Sequence, residues 1–142
     1  MIPDYKNGAL IISNIVHFSA REAIDWCSKG AILLDIREEY ETCARQFSVA
    51  NCEFMPNSEL KTHYKELPAD QLLIIADSVG LRSKEAVIFL QKEGFEHTAN
   101  LAGGIVDWER EGFPVITNPA EMLHGQCACR LRTNSGKKIN YK

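Results

Sequence analysis

The six residues Asp77-Ser78-Val79-Gly80-Leu81-Arg82 join an apolar run, Leu72-Leu73-Ile74-Ile75-Ala76, to an amphipathic one, Ser83-Lys84-Glu85-Ala86-Val87-Ile88-Phe89-Leu90. This order predicts a strand, a tight loop and a helix start. A short loop that ends at a helix N-terminus points successive backbone N–H groups into one concavity, and the helix dipole makes that concavity attractive to an anion. Gly80 lets the chain turn where a side chain would obstruct, and Arg82 adds a cationic fork. Ser78, Val79, Gly80, Leu81, Arg82 and Ser83 are therefore the candidate anion-binding residues, with Asp77 at the head of the loop.

The same alternation of strand and helix extends on both sides. Ser19-Ala20-Arg21-Glu22 places a capping hydroxyl three residues ahead of a carboxylate, and Ala20, Ala23, Ile24 and Cys27 recur at helical spacing. Gly30 ends that helix, and Ala31-Ile32-Leu33-Leu34 follows as a short apolar strand covered on both sides. After Gly94, residues 95–101 read as an extended segment, and Asp107 to Arg110 as a helical turn closed by Gly112 and Pro114. Alternating strands and helices predict an α/β fold, a parallel sheet with helices on both faces and a ligand site at the carboxyl ends of the strands. Pro119 to Gly125 reads as a short helix beyond the core, leading into Cys127-Ala128-Cys129.

Four stretches in this order resemble the rhodanese-like family of sulfurtransferases. Its active-site loop places a nucleophilic cysteine, two residues, glycine, one residue and arginine between a central strand and its helix; here Asp77 takes the cysteine position. Leu33-Leu34-Asp35-Ile36-Arg37-Glu38-Glu39-Tyr40 is similar to the family's second strand. Leu101-Ala102-Gly103-Gly104-Ile105-Val106-Asp107-Trp108 resembles its Leu-x-Gly-Gly-x-x-x-Trp signature, and Gly112-Phe113-Pro114-Val115 its exit. The similarity runs over residues 14–116, which suggests a rhodanese-like domain at 1–116 and a C-terminal extension at 117–142. The family's Gly-His-Ile-x-Gly-Ala segment is replaced by residues 42–52, so contacts made by that histidine do not transfer to this chain.

The resemblance implies sulfur transfer by a thiolate held in the N–H cradle as a persulfide. A carboxylate cannot form a persulfide, so Asp77 is expected to abolish that reaction at the loop. Two occupants of the cradle remain open: a small anion or persulfide-type donor, or the Asp77 carboxylate itself. Aspartate is a nucleophile in some phosphoryl-transfer enzymes, but that chemistry needs a metal and further carboxylates. Phosphatase-like chemistry ranks last, because the family's phosphatase relatives use a longer loop and a cysteine. The resemblance gives Asp35 a structural ion pair with an arginine. Ser78 has no histidine placed by sequence to activate it, and His17, His63, His97 and His124 are scattered, as surface or packing residues are.

Cys127 and Cys129 are the candidate sulfur carriers. Two thiols one residue apart can form a strained disulfide, pass a persulfide between them, supply half of a four-thiolate metal site, or be a chance pair. Arg130 and Arg132 favour their thiolates. Cys27 lies on the apolar side of the first helix and is expected in the core, whereas Cys43 and Cys52 fall in the altered segment and are buried or exposed. Five cysteines at irregular spacing fit reduced cytosolic thiols rather than a disulfide framework. No apolar run approaches the roughly 20 residues of a membrane span, and no secretory signal precedes the first helix, so the expected location is the cytoplasm.

Residues 130–142 carry five basic and no acidic side chains, against 11 basic and 19 acidic in residues 1–129. Such a tail contacts an acidic partner, folds back on its own acidic body or stays solvated, and without interleaved aromatics it does not imply nucleic-acid binding. The two function classes left are sulfur handling through Cys127 and Cys129, and a catalytically inactive module that binds or regulates a protein partner. Neither a cofactor nor a metal is expected.

Overall fold

Ile32-Leu33-Leu34-Asp35 and Leu73-Ile74-Ile75-Ala76 form two wholly buried strands, β3 (Ile32–Asp35) and β6 (Leu73–Ala76), paired in parallel with Leu33 opposite Ile74. The computed structural model describes residues 2–117. In chain order the other elements are β1 (Leu10–Ile12), β2 (Ile15–Phe18), α1 (Ala20–Ser28), α2 (Glu39–Thr42), β4 (Arg45–Phe47), β5 (Cys52–Phe54), α3 (Asn57–His63), α4 (Leu81–Lys92), β7 (Thr98–Leu101), α5 (Gly104–Arg110) and β8 (Val115–Thr117). The main sheet has the order β1-β2-β7-β6-β3-β5, parallel except for the β1–β2 hairpin, and β4 pairs antiparallel with β8 in a separate ribbon.

Side chains alternate across β3 and β6, which splits the core into two layers. Leu33, Ile74 and Ala76 pack with Ala20, Ala23 and Cys27 of α1 and Ile105 and Trp108 of α5. Leu34, Leu73 and Ile75 pack with Leu60 of α3 and Ala86, Val87 and Leu90 of α4. Helices thus cover both faces, as the strand and helix alternation predicts. The capping box at α1 forms as read: Ser19 Oγ accepts from Glu22 N at 3.2 Å, and Glu22 Oε1 accepts from Ser19 N at 2.9 Å.

Three boundaries differ from the sequence expectation. α4 begins at Leu81 rather than at Ser83, because Gly80 at φ +96° turns the chain directly into the helix. α5 begins at Gly104, three residues before Asp107, since Gly103 at φ +79° caps it and Ile105 and Val106 donate backwards to Asp77 O and Ser78 O. β7 starts only at Thr98, so residues 95–97 are not strand. The β1–β2 hairpin, turning through Ser13 and Asn14 at positive φ, has no counterpart in the sequence reading. Among the described residues no helix is long and apolar enough to cross a membrane.

Candidate functional site

β6 ends at Ala76, and the next residue, Asp77, is 1% exposed at the carboxyl edge of the central strands. Its carboxylate faces the N-terminus of α4. Oδ1 accepts from Gly80 N, and Oδ2 accepts from Arg82 N at 2.9 Å. Arg82 Nε lies 3.6 Å from Oδ2, and Ser83 Oγ lies 3.3 Å from Oδ1. The converging N–H groups expected of an anion cradle are present, and the chain's own carboxylate occupies them. Asp77 is one of the two occupants that the sequence leaves open.

The Arg82 fork is also engaged. Nη1 and Nη2 donate to the two carboxylate oxygens of Glu41 at 2.9 and 2.6 Å, a bidentate pair in which Arg82 remains 36% exposed. Glu41 carries two further links, accepting from Glu38 N at 2.9 Å and lying 3.4 Å from Ser78 Oγ. Hydrogen bonds from Arg82 lower the Glu41 pKa below its ordinary 4.5, against an opposing effect of burial, and Glu41 in turn raises that of Arg82. Because the folded Glu41 pKa is lowered, the stability from this pair is present above about pH 4.5 and is lost as pH falls through the folded value. Glu41→Gln should cost about 0.5–1 kcal/mol at neutral pH, since the pair is partly solvated. It should also flatten the acid limb of a urea-midpoint against pH profile, which is the measurement that checks it.

Beneath the loop, Asp35 and Arg37 form a fully buried pair. Arg37 Nη2 donates to Asp35 Oδ2 at 2.8 Å and to the Arg45 carbonyl at 2.9 Å, while Nη1 donates to the Glu41 carbonyl at 3.2 Å. One guanidinium therefore ties β3 to α2 and β4, and so fixes the height at which Glu41 meets Arg82. Burial raises the Asp35 pKa, and Arg37 works against that shift. The structural ion pair implied for Asp35 is formed with Arg37.

A second polar chain leads away from the loop. Ser83 Oγ donates to Asn100 Oδ1, and Asn100 Nδ2 lies 3.2 Å from His17 Nδ1 and 3.4 Å from the Gly80 carbonyl. Burial, and secondarily Lys84, lowers the His17 pKa. Its position is that of a packing residue holding the sheet against the loop. His63 is exposed and lies 2.8 Å from Glu66.

The Gly103-Gly104 pair lets α5 approach the loop. A Cβ at Gly104 would lie 2.4 Å from Ser78 C and O and 2.5 Å from Asp77 O, on a backbone at φ +57°. Gly104→Ala should destabilise by about 2–3 kcal/mol. Gly112→Ala, also at positive φ but with open space around it, should cost only about 1 kcal/mol. Urea midpoints of the two variants separate the steric part from the backbone part.

Of the residues read from sequence, Asp77, Gly80, Arg82 and Ser83 come together. Val79 and Leu81 instead face outward, at 50% and 71% exposure, and lie on the loop side with exposed Tyr40. Glu41 and Asn100 were missed. Glu41 lies in the run that carries Asp35 and Arg37, but nothing local marks its pairing with a residue 41 positions later. Cys127, Cys129 and the expected 119–125 helix lie outside the described residues. Cys27 and Cys52 are buried free thiols, Cys27 with its pKa pushed up to about 12 by burial and Cys52 raised by the same cause. Cys43 is buried at the C-terminal end of α2, so of the two settings left open for Cys43 and Cys52 the buried one holds for both.

A cavity of about 590 Å³ lined by Tyr5, Lys6, Gln91 and His97 opens at the opposite end of the strands, away from these groups. Among the described residues no cluster of His, Cys, Asp and Glu has the grouping of a metal site.

Residues 19–111 match the family described as the rhodanese-like domain. The chain is 29% identical over 89 residues to a sulfurtransferase of Allochromatium vinosum, covering 63% of this chain and 81% of that protein. It is 28% identical over 101 residues to the thiosulfate sulfurtransferase GlpE of Haemophilus influenzae, covering 68% and 90%. A rhodanese-related protein of Thermoplasma volcanium superposes with a TM-score of 0.64 at 31% identity, covering 72% of this chain and 98% of that one. The matched span runs from the α1 cap to the end of α5 and contains the whole Asp77 loop with its Arg82, Glu41 and Gly104 supports, so the chain belongs to the rhodanese-like domain family.

Proposed function

We propose that this rhodanese-like domain is silent in thiosulfate sulfur transfer at its loop and acts in the cytoplasm as a binding or regulatory module for a protein partner. The observation that carries this reading is the Asp77 carboxylate seated on Gly80 N and Arg82 N. A carboxylate there offers no sulfur to form a persulfide, and its charge repels an anionic donor from the same N–H groups. The outward face supports recognition: Tyr40, Val79 and Leu81 are exposed near a charged pair, Glu41 and Arg82, whose geometry is fixed.

The resemblance to sulfurtransferases favours a second reading, sulfur handling by Cys127 and Cys129 with the loop serving as a neighbouring anion site. One experiment separates the two. The full chain is incubated with thiosulfate and examined by intact mass and peptide mapping. The leading reading expects no cysteine to gain a sulfur atom; a sulfur found on Cys127 or Cys129 supports the second. Enzyme-like turnover that survives Cys127→Ser and Cys129→Ser together contradicts both.

A further inference from the structure

Residues 7–20 contain no Asp, Glu, Lys or Arg, in a chain that is 25% charged. Within that stretch β1 forms one edge of the main sheet, and no described strand covers its outer side. Its three residues are all open to solvent, Leu10 at 58%, Ile11 at 48% and Ile12 at 50%. An aliphatic edge without Lys or Pro is a template for a further strand. The other edge is guarded, since β5 carries Glu53 and is followed two residues later by Pro56. We infer that β1 pairs antiparallel with β1 of a second copy about a two-fold axis centred on Ile11, joining the two main sheets into one. This inference goes beyond the proposed function and holds whether or not the Asp77 loop is silent.

The hairpin turn fixes the register. Ser13 and Asn14, at φ 53° and 65°, form a two-residue turn of the primed type, which makes Ile12 and Ile15 the hydrogen-bonded pair that closes it. Such pairs alternate along an antiparallel ladder, so Leu10 and His17 are the next, and Ile11 and Val16 between them form a non-hydrogen-bonded pair. The N–H and C=O of Ile11 therefore point away from β2, out of the sheet edge. A residue that presents both groups outward is self-complementary. Two copies of Ile11 exchange both hydrogen bonds, and Leu10 falls opposite Ile12 of the other copy.

Side chains on both faces extend the contact. Leu10 and Ile12 lie opposite His17 and Ile15, on the face covered by α4. Along that helix Gln91 donates to Asn14 O at 2.9 Å, and Lys84 is close enough to His17 to lower its pKa. Ile88, 37% exposed, shares their helix face and so lies toward β1. Ile11 projects to the opposite face, where Ile2, Pro3 and Tyr5 share with it the wall of the 590 Å³ cavity. A two-fold axis sets each residue beside it against its own kind, so any charge at this edge would meet the same charge; residues 7–20 bring none.

Area sets the strength. A standard interface takes about 20–30 residues, or about 800 Å², from each partner. The three strand residues with Ile88 and the segment at Ile2 and Pro3 are fewer, so the dimer belongs to the weak, concentration-dependent class, with a dissociation constant of about 10–100 µM. The axis runs the strands of the two copies in opposite directions. The two Asp77 loops therefore lie at opposite ends of the joined sheet, and both stay open to a partner.

Sedimentation equilibrium of the full chain in reducing buffer, from about 1 µM to about 1 mM, should take the mean mass from monomer to dimer. Ile11→Lys sets two ammonium groups opposite each other and should raise the dissociation constant at least about 10-fold. Val106→Lys, at a 42% exposed position on α5, should leave it unchanged. Cross-linking reads the register and does not depend on the lysine variant folding. In the paired strands the two Ile11 Cα atoms would be about 5.5 Å apart, within disulfide range, and the two Ile12 Cα atoms about 8 Å. Under mild oxidation Ile11→Cys should give a covalent dimer above the wild-type background, and Ile12→Cys should not. A monomer at every concentration overturns the inference and leaves the edge to a strand of another protein. A dimer that Ile11→Lys leaves as tight as wild type overturns it too, as does equal cross-linking by the two cysteine variants.

Discussion

Asp77→Cys should bring thiosulfate:cyanide sulfurtransferase activity from background to about 10²-fold above it, the contribution expected of a preorganised N–H cradle acting on a developing anion. The new thiolate would attack the outer sulfur of thiosulfate, the S–S bond would break with sulfite leaving, and cyanide would take the sulfur as thiocyanate and restore the thiolate. Gly80 N and Arg82 N, which now bind the Asp77 carboxylate, would be left to hold the persulfide. A steady-state assay of thiocyanate formation, with Asp77→Ala as the control that opens the cradle without a nucleophile, checks the result. Wild-type turnover equal to that of Asp77→Cys would remove the role given to Asp77.

The largest expected loss of stability lies beneath the loop. Arg37→Ala should cost about 3–5 kcal/mol, because it leaves the buried Asp35 carboxylate without its counter-charge and the Glu41 and Arg45 carbonyls without a donor. The pH dependence gives a second readout. Burial already raises the Asp35 pKa in the folded state, and removing Arg37 raises it further. A carboxyl whose folded pKa is raised contributes stability that is full below its ordinary 3.8 and is lost as pH rises through the folded value. The variant should therefore lose more stability, relative to wild type, at about pH 7 than at about pH 5. Urea midpoints at both pH values check this; equal losses would assign the effect to packing alone.

Much of this arrangement was legible because its parts are local. The Leu72–Ala76 run, Gly80 and the α4 pattern place a strand, a turn and a helix start within 20 residues, and the resemblance placed them in a known order. The N–H groups of Gly80 and Arg82 follow from that geometry alone. What was not legible depends on distance along the chain. Glu41 reaches Arg82 across 41 positions, and Asn100 meets Ser83 across 17. β4, β5 and β8 are three residues each, too short to show a period, and they are held by pairing rather than by their own pattern. Leu81 illustrates the limit in the other direction. It extends the apolar character of the loop, yet it is 71% exposed, because the turn at Gly80 directs it outward at the first helical position.

The central claim is that the Asp77 carboxylate, rather than an external anion, fills the cradle. Its most direct test is an amide-resolved NMR titration of wild type and Asp77→Ala with thiosulfate. The account predicts that the Gly80 and Arg82 amide resonances of Asp77→Ala shift and saturate, while those of wild type stay in place over the same concentrations. Wild-type amides that shift and saturate together with those of the variant would contradict it.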